Sequence, residues 1–192
     1  SADLKQTFTG RHLVNVRLSR AGSEKQVRHH EIGVEGGPVP YLPGDAVGVR
    51  PANDPALVDR LARLIGAADD EPVTLADGTA TTFRAALSHA CSLETPSRRL
   101  LELIAGRGAT DVGALLDRAH ADDLERYVEG HDEAHDVLDV VAAHPEAHLD
   151  PGEFVAALRR MPPRLYSIAS SPRTFPDRVH LLIASVRSDP RT

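Results

Sequence analysis

Hydrophobic and polar positions alternate towards both ends of the chain, whereas the middle carries apolar positions at helical spacing. Over 13–18 and 27–34, apolar and polar residues largely alternate, which predicts two half-buried strands. The turn residues at 21–23 predict that these two strands form an antiparallel pair. A further short strand is predicted at 46–49, behind the breaks at 43–45. Short strands at this spacing favour a sandwich or a barrel.

The helical period runs from about residue 51 to about residue 160. Asp54 and Pro55 predict a helix start, and the apolar positions of 57–65 follow at spacings of three and four until Gly66. Further helices are predicted at 82–87, 96–104, 112–116, 137–141 and 152–158. The glycines of 106–108 do not follow a strand, so they predict a helix end and a turn and not a nucleotide-binding loop.

The strand pattern returns near the end of the chain, at 166–169 and 179–186. Each β segment alone is too short to bury an adequate core. The order therefore predicts a discontinuous β domain, formed by 1–50 and 161–192, into which a helical domain at 51–160 is inserted.

Composition places the chain among globular proteins, because 41% of its 192 residues are apolar and 26% are charged. The net charge of −6 argues against a nucleic-acid partner, since backbone binding needs a basic face. No apolar run approaches the roughly 20 residues that span a bilayer, and the first residues lack the features of a signal peptide. These observations predict a cytoplasmic protein with no membrane partner. The single cysteine, Cys91, fits a reducing compartment and reads as a core residue.

Two histidines, His131 and His135, have the spacing at which a helix presents two imidazoles to one metal ion. The zinc-protease patterns need glutamate at one of two intervening positions, where Asp132 and Ala134 stand. We therefore predict no metal site here. The chain also lacks a serine nucleophile motif, so hydrolase chemistry has no candidate.

The segment 164–171 carries the richest candidate chemistry. On a strand, Arg164 and Tyr166 point to the same side, and Ser167 follows at the next position. A guanidinium pairs with a pyrophosphate, an aromatic ring stacks on an isoalloxazine, and a hydroxyl can hydrogen-bond a ring nitrogen. The residue types alone leave open a second interpretation, a buried strand with an incidental salt bridge.

The segment 164–171 resembles the FAD-binding motif of the ferredoxin-NADP reductase-like diflavin reductases. Among these proteins, the chain most resembles the flavoprotein (alpha) component of NADPH-dependent sulfite reductase. Further matching segments follow the same order along the chain, at 41–49, 53–58, 71–74 and 82–87. The resemblance covers nearly the whole chain.

The resemblance implies an α+β fold in which an antiparallel β-barrel binds FAD and an inserted all-helical connecting domain positions an FMN domain. It also implies that Arg164 contacts the FAD pyrophosphate, that Tyr166 stacks on the isoalloxazine, and that Ser167 is the catalytic residue near N5. The other implied contacts are Leu165, then Leu182, Ile183 and Ala184 along the adenine side, and Arg84 for the NADP phosphate.

The implied function is electron transfer from NADPH through FAD to FMN and on to a metalloprotein acceptor. Sulfite reductase is the favoured acceptor, and a nitrate reductase or a haem monooxygenase is the alternative within this class. A flavin-free interaction module is the alternative from another class, and Ser188, where relatives carry an aromatic residue against adenine, favours it. We expect an FMN domain before Ser1 and an NADP-binding domain after Thr192, so that this chain is incomplete on its own.

Overall fold

The computed structural model describes residues 8–20, 22–23, 25–34, 41–42, 44–117, 120–130 and 134–185. The chain divides into two compact units. One joins Ser1–Val49 to Pro163–Thr192 and is called the β unit, and the other is the continuous segment Arg50–Pro162, called the helical unit.

The β unit contains two antiparallel sheets. Strands β1 (Gly10–Arg17), β2 (Gln26–Val34) and β7 (Arg178–Ser185) form one sheet in the order β1-β2-β7, and β3 (Ala46–Val49) pairs with β6 (Arg164–Ser167) in the other. The predicted strands and the antiparallel pairing of the first two are confirmed. The mixed α and β composition with antiparallel sheets is confirmed as well.

The core of the β unit is small. Tyr41, Ile168 and Val179 form a buried cluster, and Ile32 and Val47 pack against it. An isolated bridge between Ile168 and Leu181 connects the two sheets. Apart from this bridge, the two ladders are separate among the described residues, and they do not close into a barrel.

The helical unit consists mainly of short helices. They are α1 (Pro55–Ile65), α2 (Phe83–Ala85), α3 (Arg98–Gly106), α4 (Thr110–Leu115), α5 (Ala121–Glu129), α6 (Val137–Ala143) and α7 (Pro151–Ala157), with a π-helical turn over Ala86–Ala90 and a 3-10 turn over Pro145–Ala147. The start of α1 is capped as predicted, because the Asp54 carboxylate accepts from the backbone N–H of Ala56, and Gly66 ends the helix in the left-handed conformation. Helix α5 was not predicted.

The prediction that the segment 51–160 is all-helical is wrong. Strands β4 (Pro72–Thr74) and β5 (Ala80–Thr82) form an antiparallel hairpin within it. Its turn uses Gly78 at a φ of 85°, and the Asp77 side chain accepts from the Thr79 N–H at 3.0 Å. Aspartate followed by glycine between β-forming residues is a hairpin signal, and the helical periodicity on both sides hid it.

The core of the helical unit is extensive. Phe83 and Phe154 are fully buried, with ring centroids 6.3 Å apart. Most of the helices and the hairpin contribute buried apolar side chains to one cluster around this pair. No helix in the described part of the chain is long and apolar enough to cross a membrane.

Candidate functional site

Strand β6 carries the predicted cofactor residues and is held by its pairing with β3. Arg164 lies opposite Val49, and Tyr166 lies opposite Val47. Since side chains alternate along a strand and match across a ladder, Arg164 and Tyr166 share one face with these valines. Ser167 projects from the other face.

One backbone edge of β6 is open beside Leu165. The Ile168 N–H donates to the Asp45 carbonyl on the β3 side at 2.8 Å, and the Ala169 N–H donates to the His180 carbonyl on the β7 side, also at 2.8 Å. Because backbone groups alternate in direction along a strand, those of Leu165 and Ser167 point away from β3. Along that edge, the described ranges hold the isolated bridge of Ile168 to Leu181 next to Ser167, and no strand pairs with Leu165. The backbone groups of Leu165 are therefore available to a ligand.

The side chains of β6 are accessible. Arg164 and Ser167 are exposed, Tyr166 is half-buried, and Leu165 is 63% exposed. The strand is therefore not the buried element of the second interpretation, although Arg164 also interacts within the protein.

Sequence reasoning missed the residues that fix the end of this strand. The buried Ser170 hydroxyl lies 2.7 Å from the Tyr41 hydroxyl and accepts from the His180 backbone N–H at 3.1 Å. Asp45 accepts from the Leu42 N–H at 2.8 Å and thereby fixes the turn before β3. The available signals were two serines directly after a β pattern and an aspartate after proline and glycine.

Gly48 allows a close approach between the strands. A Cβ atom at this position would lie 3.3 Å from Pro163 Cβ and 3.6 Å from Leu165 Cδ2. A larger residue would push on the segment that leads into Arg164. Sequence reasoning assigned no role to this glycine.

The predicted adenine-side residues lie on β7. Leu182 is 54% exposed, Ala184 is exposed, and Ile183 is half-buried between them. All three lie in the ladder with β2, which fixes their backbone. Ser188 lies outside the described residues.

Arg84, the residue predicted for the NADP phosphate, belongs to the helical unit and already has two acidic partners. Its Nη2 atom lies 2.6 Å from Asp59 Oδ1, and its Nε atom lies 2.7 Å from Asp69 Oδ2. These two carboxylates, Asp69 first and then Asp59, raise the pKa of the Arg84 guanidinium. A phosphate would have to displace these carboxylates, and the NADP contact remains a prediction.

Of the two histidines with metal-ligand spacing, the structure describes one. His135 stacks on Tyr127 with ring centroids 4.1 Å apart, and His131 lies outside the described residues. At β6, a guanidinium, an aromatic ring, a hydroxyl and the open backbone of Leu165 lie along four consecutive residues. This donor set fits an anionic dinucleotide that carries a planar ring system.

The family model described as "FAD binding domain" matches residues 1–190. The chain belongs to this family. The family assignment confirms the resemblance drawn from the residues of 164–171 and from the matching segments before them.

Curated relatives agree with the FAD binding domain assignment. The sulfite reductase [NADPH] flavoprotein alpha-component of Bacillus subtilis is 38% identical over 95% of this chain, that of Serratia proteamaculans is 34% identical over 96%, and that of Escherichia coli O157:H7 is 36% identical over 92%. The chain spans only 30%, 30% and 28% of these relatives' own lengths.

Proposed function

We propose that the β unit binds FAD along the open edge of β6. The observation that carries this proposal is the accessible run of Arg164, Leu165, Tyr166 and Ser167 in a chain of the FAD binding domain family. We further propose that the chain is the FAD-binding part of an NADPH-dependent diflavin reductase.

Each residue of β6 has a distinct part in this proposal. Arg164 binds the pyrophosphate through paired hydrogen bonds, and the Tyr166 ring packs on the isoalloxazine. Tyr166 and Ser167 lie on opposite faces of the strand, so a planar ring system that meets both must lie across the strand edge. The backbone of Leu165 points to that edge, and Leu182, Ile183 and Ala184 line the adenine side.

Bound FAD would supply hydride acceptance from NADPH and release of single electrons, and the protein's part is to bind and orient it. In this proposal, Ser167 places its hydroxyl within hydrogen-bonding reach of N5. Tyr166 shields one face of the ring from water. Arg164 fixes the ring's position along the strand by holding the pyrophosphate at the other end of the motif.

The architecture proposed for the whole protein follows from the family. The β unit, which corresponds to the predicted domain of 1–50 and 161–192, forms part of a flattened antiparallel barrel. The helical unit, which corresponds to the predicted domain of 51–160, is the connecting domain that positions an FMN domain. The FMN domain and the NADP-binding domain belong to the same polypeptide in this proposal. Arg84 as an NADP phosphate contact is its weakest part, since two carboxylates already hold it.

The proposed electron acceptor is a metalloprotein, and sulfite reductase is favoured because the relatives reported above are sulfite reductase flavoprotein components. Nitrate reductases and haem monooxygenases remain the alternative acceptors. Comparing sulfite reductase, a nitrate reductase and a haem monooxygenase as acceptors of the reduced full-length protein tests this choice directly.

FAD binding is tested by titration of the polypeptide extended to the length of its relatives. Replacing Arg164 with alanine removes a charge-assisted contact of about 1.5–3 kcal/mol, so FAD affinity should fall about 10-fold to 100-fold. Arg173→Ala, which removes an exposed arginine elsewhere in the same unit, should leave the affinity unchanged. If the unmodified polypeptide binds no FAD, the reductase proposal is abandoned in favour of a flavin-free interaction module.

The role of Ser167 is tested by rapid reduction with NADPH. Ser167→Ala in the extended polypeptide should slow hydride transfer by about 100-fold or more, the range of a positioned hydrogen-bonding or proton-transfer group. FAD affinity should change little, because the phosphate and ring contacts remain. Ser167→Thr keeps the hydroxyl and should restore much of the rate, and equal rates in all three proteins would refute the assigned role.

A further inference from the structure

A second group of chemically active side chains lies in the sheet formed by β2 and β7. Glu31 of β2 is directly opposite His180 of β7. His29 is two residues before Glu31 on the same strand, so its side chain lies on the same face. One ligand atom from each of the three residues lies within 4.8 Å of the others. We propose that His29, Glu31 and His180 bind one divalent transition-metal cation, with Zn²⁺ as the representative ion.

The chemistry of these three side chains suits such an ion. Two imidazoles and one carboxylate bind zinc, ferrous iron and neighbouring divalent metals, whereas magnesium and calcium prefer oxygen ligands alone. The site offers three protein ligands, so water would complete the coordination. It involves none of the side chains assigned to FAD and therefore goes beyond the proposed function.

His180 supplies an independent observation in favour of a ligand. Its Nε2 atom is buried and has no hydrogen-bond partner, and it lies 3.8 Å from Glu31 Oε2, too far for a hydrogen bond. The side chains of His180 and Glu31 are only 12% and 18% exposed. A buried polar atom without a partner destabilises the fold, and a cation between Nε2 and the carboxylate would satisfy both groups.

The surroundings hold the two imidazoles in place. The ring centroids of His29 and His180 lie 5.0 Å apart in an edge-on arrangement, and the Phe175 ring packs against His180 at 4.3 Å. The antiparallel ladder fixes the backbone of all three ligands. A site built on paired strands needs little rearrangement to accept an ion.

Arg178 is the group that opposes cation binding. Its Nη1 atom lies 3.2 Å from Glu31 Oε2, so it competes for the same oxygen. Its Nε and Nη2 atoms also pair with the two carboxylate oxygens of Asp177 at 3.1 and 3.2 Å. Asp177 can therefore retain the guanidinium when a metal ion takes Glu31. Removing Arg178 should strengthen metal binding.

The test uses the 192-residue chain without an affinity tag, titrated with Zn²⁺ by calorimetry and followed by NMR of the imidazole nitrogens. The ring signals of His29 and His180 should shift together, and those of the stacked pair His12 and His30 should not. Equal shifts across many of the 10 histidines would overturn the proposal, because they would indicate adventitious surface binding.

Three substitutions test the assignment of ligands. His180→Gln and Glu31→Gln should each weaken Zn²⁺ binding about tenfold or more. Loss of a direct ligand should cost at least as much affinity as loss of a group that only hydrogen-bonds to a ligand. His12→Gln is the matched histidine control and should leave the affinity unchanged. Wild-type affinity in His180→Gln would overturn the proposal.

Arg178→Gln tests the site in the opposite direction. With the competing charge removed, Zn²⁺ affinity should rise about threefold or more at low ionic strength. An unchanged or lower affinity would refute Glu31 as a ligand. Arg178 is partly exposed, so Arg178→Gln should fold. The NMR mapping uses the unmodified chain and therefore does not depend on the folding of any variant.

Discussion

The helical unit buries its apolar side chains, whereas the β unit leaves many of its own accessible. Fully buried residues such as Phe83, Phe154 and Leu61 belong to one large cluster in the helical unit. The corresponding cluster of the β unit contains Tyr41, Ile168 and Val179. Of the described residues, the exposed large apolar side chains of the β unit are Phe8, Leu13, Val16, Leu18, Leu42, Leu165 and Leu182, against Leu64 in the helical unit.

This difference separates a structural role from a binding role. A unit that buries its apolar surface holds its fold by packing, and accessible apolar side chains beside polar groups are typical of binding surfaces. In the β unit, Leu165 is accessible next to Arg164 and Tyr166. The comparison therefore predicts that substitutions of large apolar residues destabilise the helical unit, and that those in the accessible part of the β unit affect ligand binding instead.

The largest contrast should come from truncating one apolar residue in each unit. Phe154→Ala opens a cavity beside Phe83 and should lower the free energy of unfolding of the helical unit by about 3–5 kcal/mol. Leu165→Ala in the β unit should change stability by about 0.5 kcal/mol or less, because the leucine is largely exposed. Equal losses in the two variants would contradict the comparison.

The rate at which the Cys91 thiol is alkylated measures this contrast. The thiol is 1% exposed, and burial raises its pKa to about 11, so it should resist alkylation in the folded helical unit near neutral pH. Alkylation at increasing denaturant then reports opening of this unit. The midpoint should shift strongly to lower denaturant in Phe154→Ala and hardly at all in Leu165→Ala.

A smaller effect should follow from removing one hydroxyl in the β unit. Tyr41→Phe deletes the hydrogen bond to Ser170 and should cost about 1 kcal/mol of stability, since both groups are buried. Tyr166→Phe is the matched control, because the structure gives the Tyr166 hydroxyl no hydrogen bond within the described ranges. Unfolding by denaturant, monitored through amide exchange in β6 and β7, distinguishes the two variants. Identical unfolding curves for both would mean that the Tyr41 contact does not hold the strand end.

The smallest effect concerns pH. Burial, then the charges of His12, Arg28 and His29, lowers the pKa of His30 below its ordinary value of 6.5. The unfolded chain then binds a proton more readily than the folded one, so stability is complete above about pH 6.5 and falls as the pH drops through that value. His30→Gln should reduce this loss in the β unit, and His89→Gln in the helical unit should not. A pH profile of wild-type shape in His30→Gln would rule out His30 as the cause.

Local sequence patterns predict much of this fold. The alternation in β1 and β2 and the cap at Asp54 are local signals, and the structure agrees with both. The β4 and β5 hairpin escaped prediction because its strands are three residues each and lie between helical segments. Helix α5 has no fully buried residue, so its pattern was too polar to stand out.

The candidate site likewise combines features that the local sequence predicts with features that it does not. Arg164, Tyr166 and Ser167 are adjacent in sequence, so their alternation on a strand predicts their relative placement. The contact between Tyr41 and Ser170 joins residues 129 positions apart, and the group of His29, Glu31 and His180 depends on the register of two distant strands. Such juxtapositions need the tertiary structure, because periodicity along one strand carries no information about its partner.

The central claim is that β6 holds FAD, and hydrogen exchange with and without FAD tests it most directly. In the polypeptide extended to the length of its relatives, FAD should slow amide exchange at Leu165, whose backbone groups point to the open edge. Exchange in α3 and α6 should stay the same, because the helical unit completes its core without the cofactor. FAD binding that leaves β6 unprotected, or that protects the helical unit alone, would contradict the account.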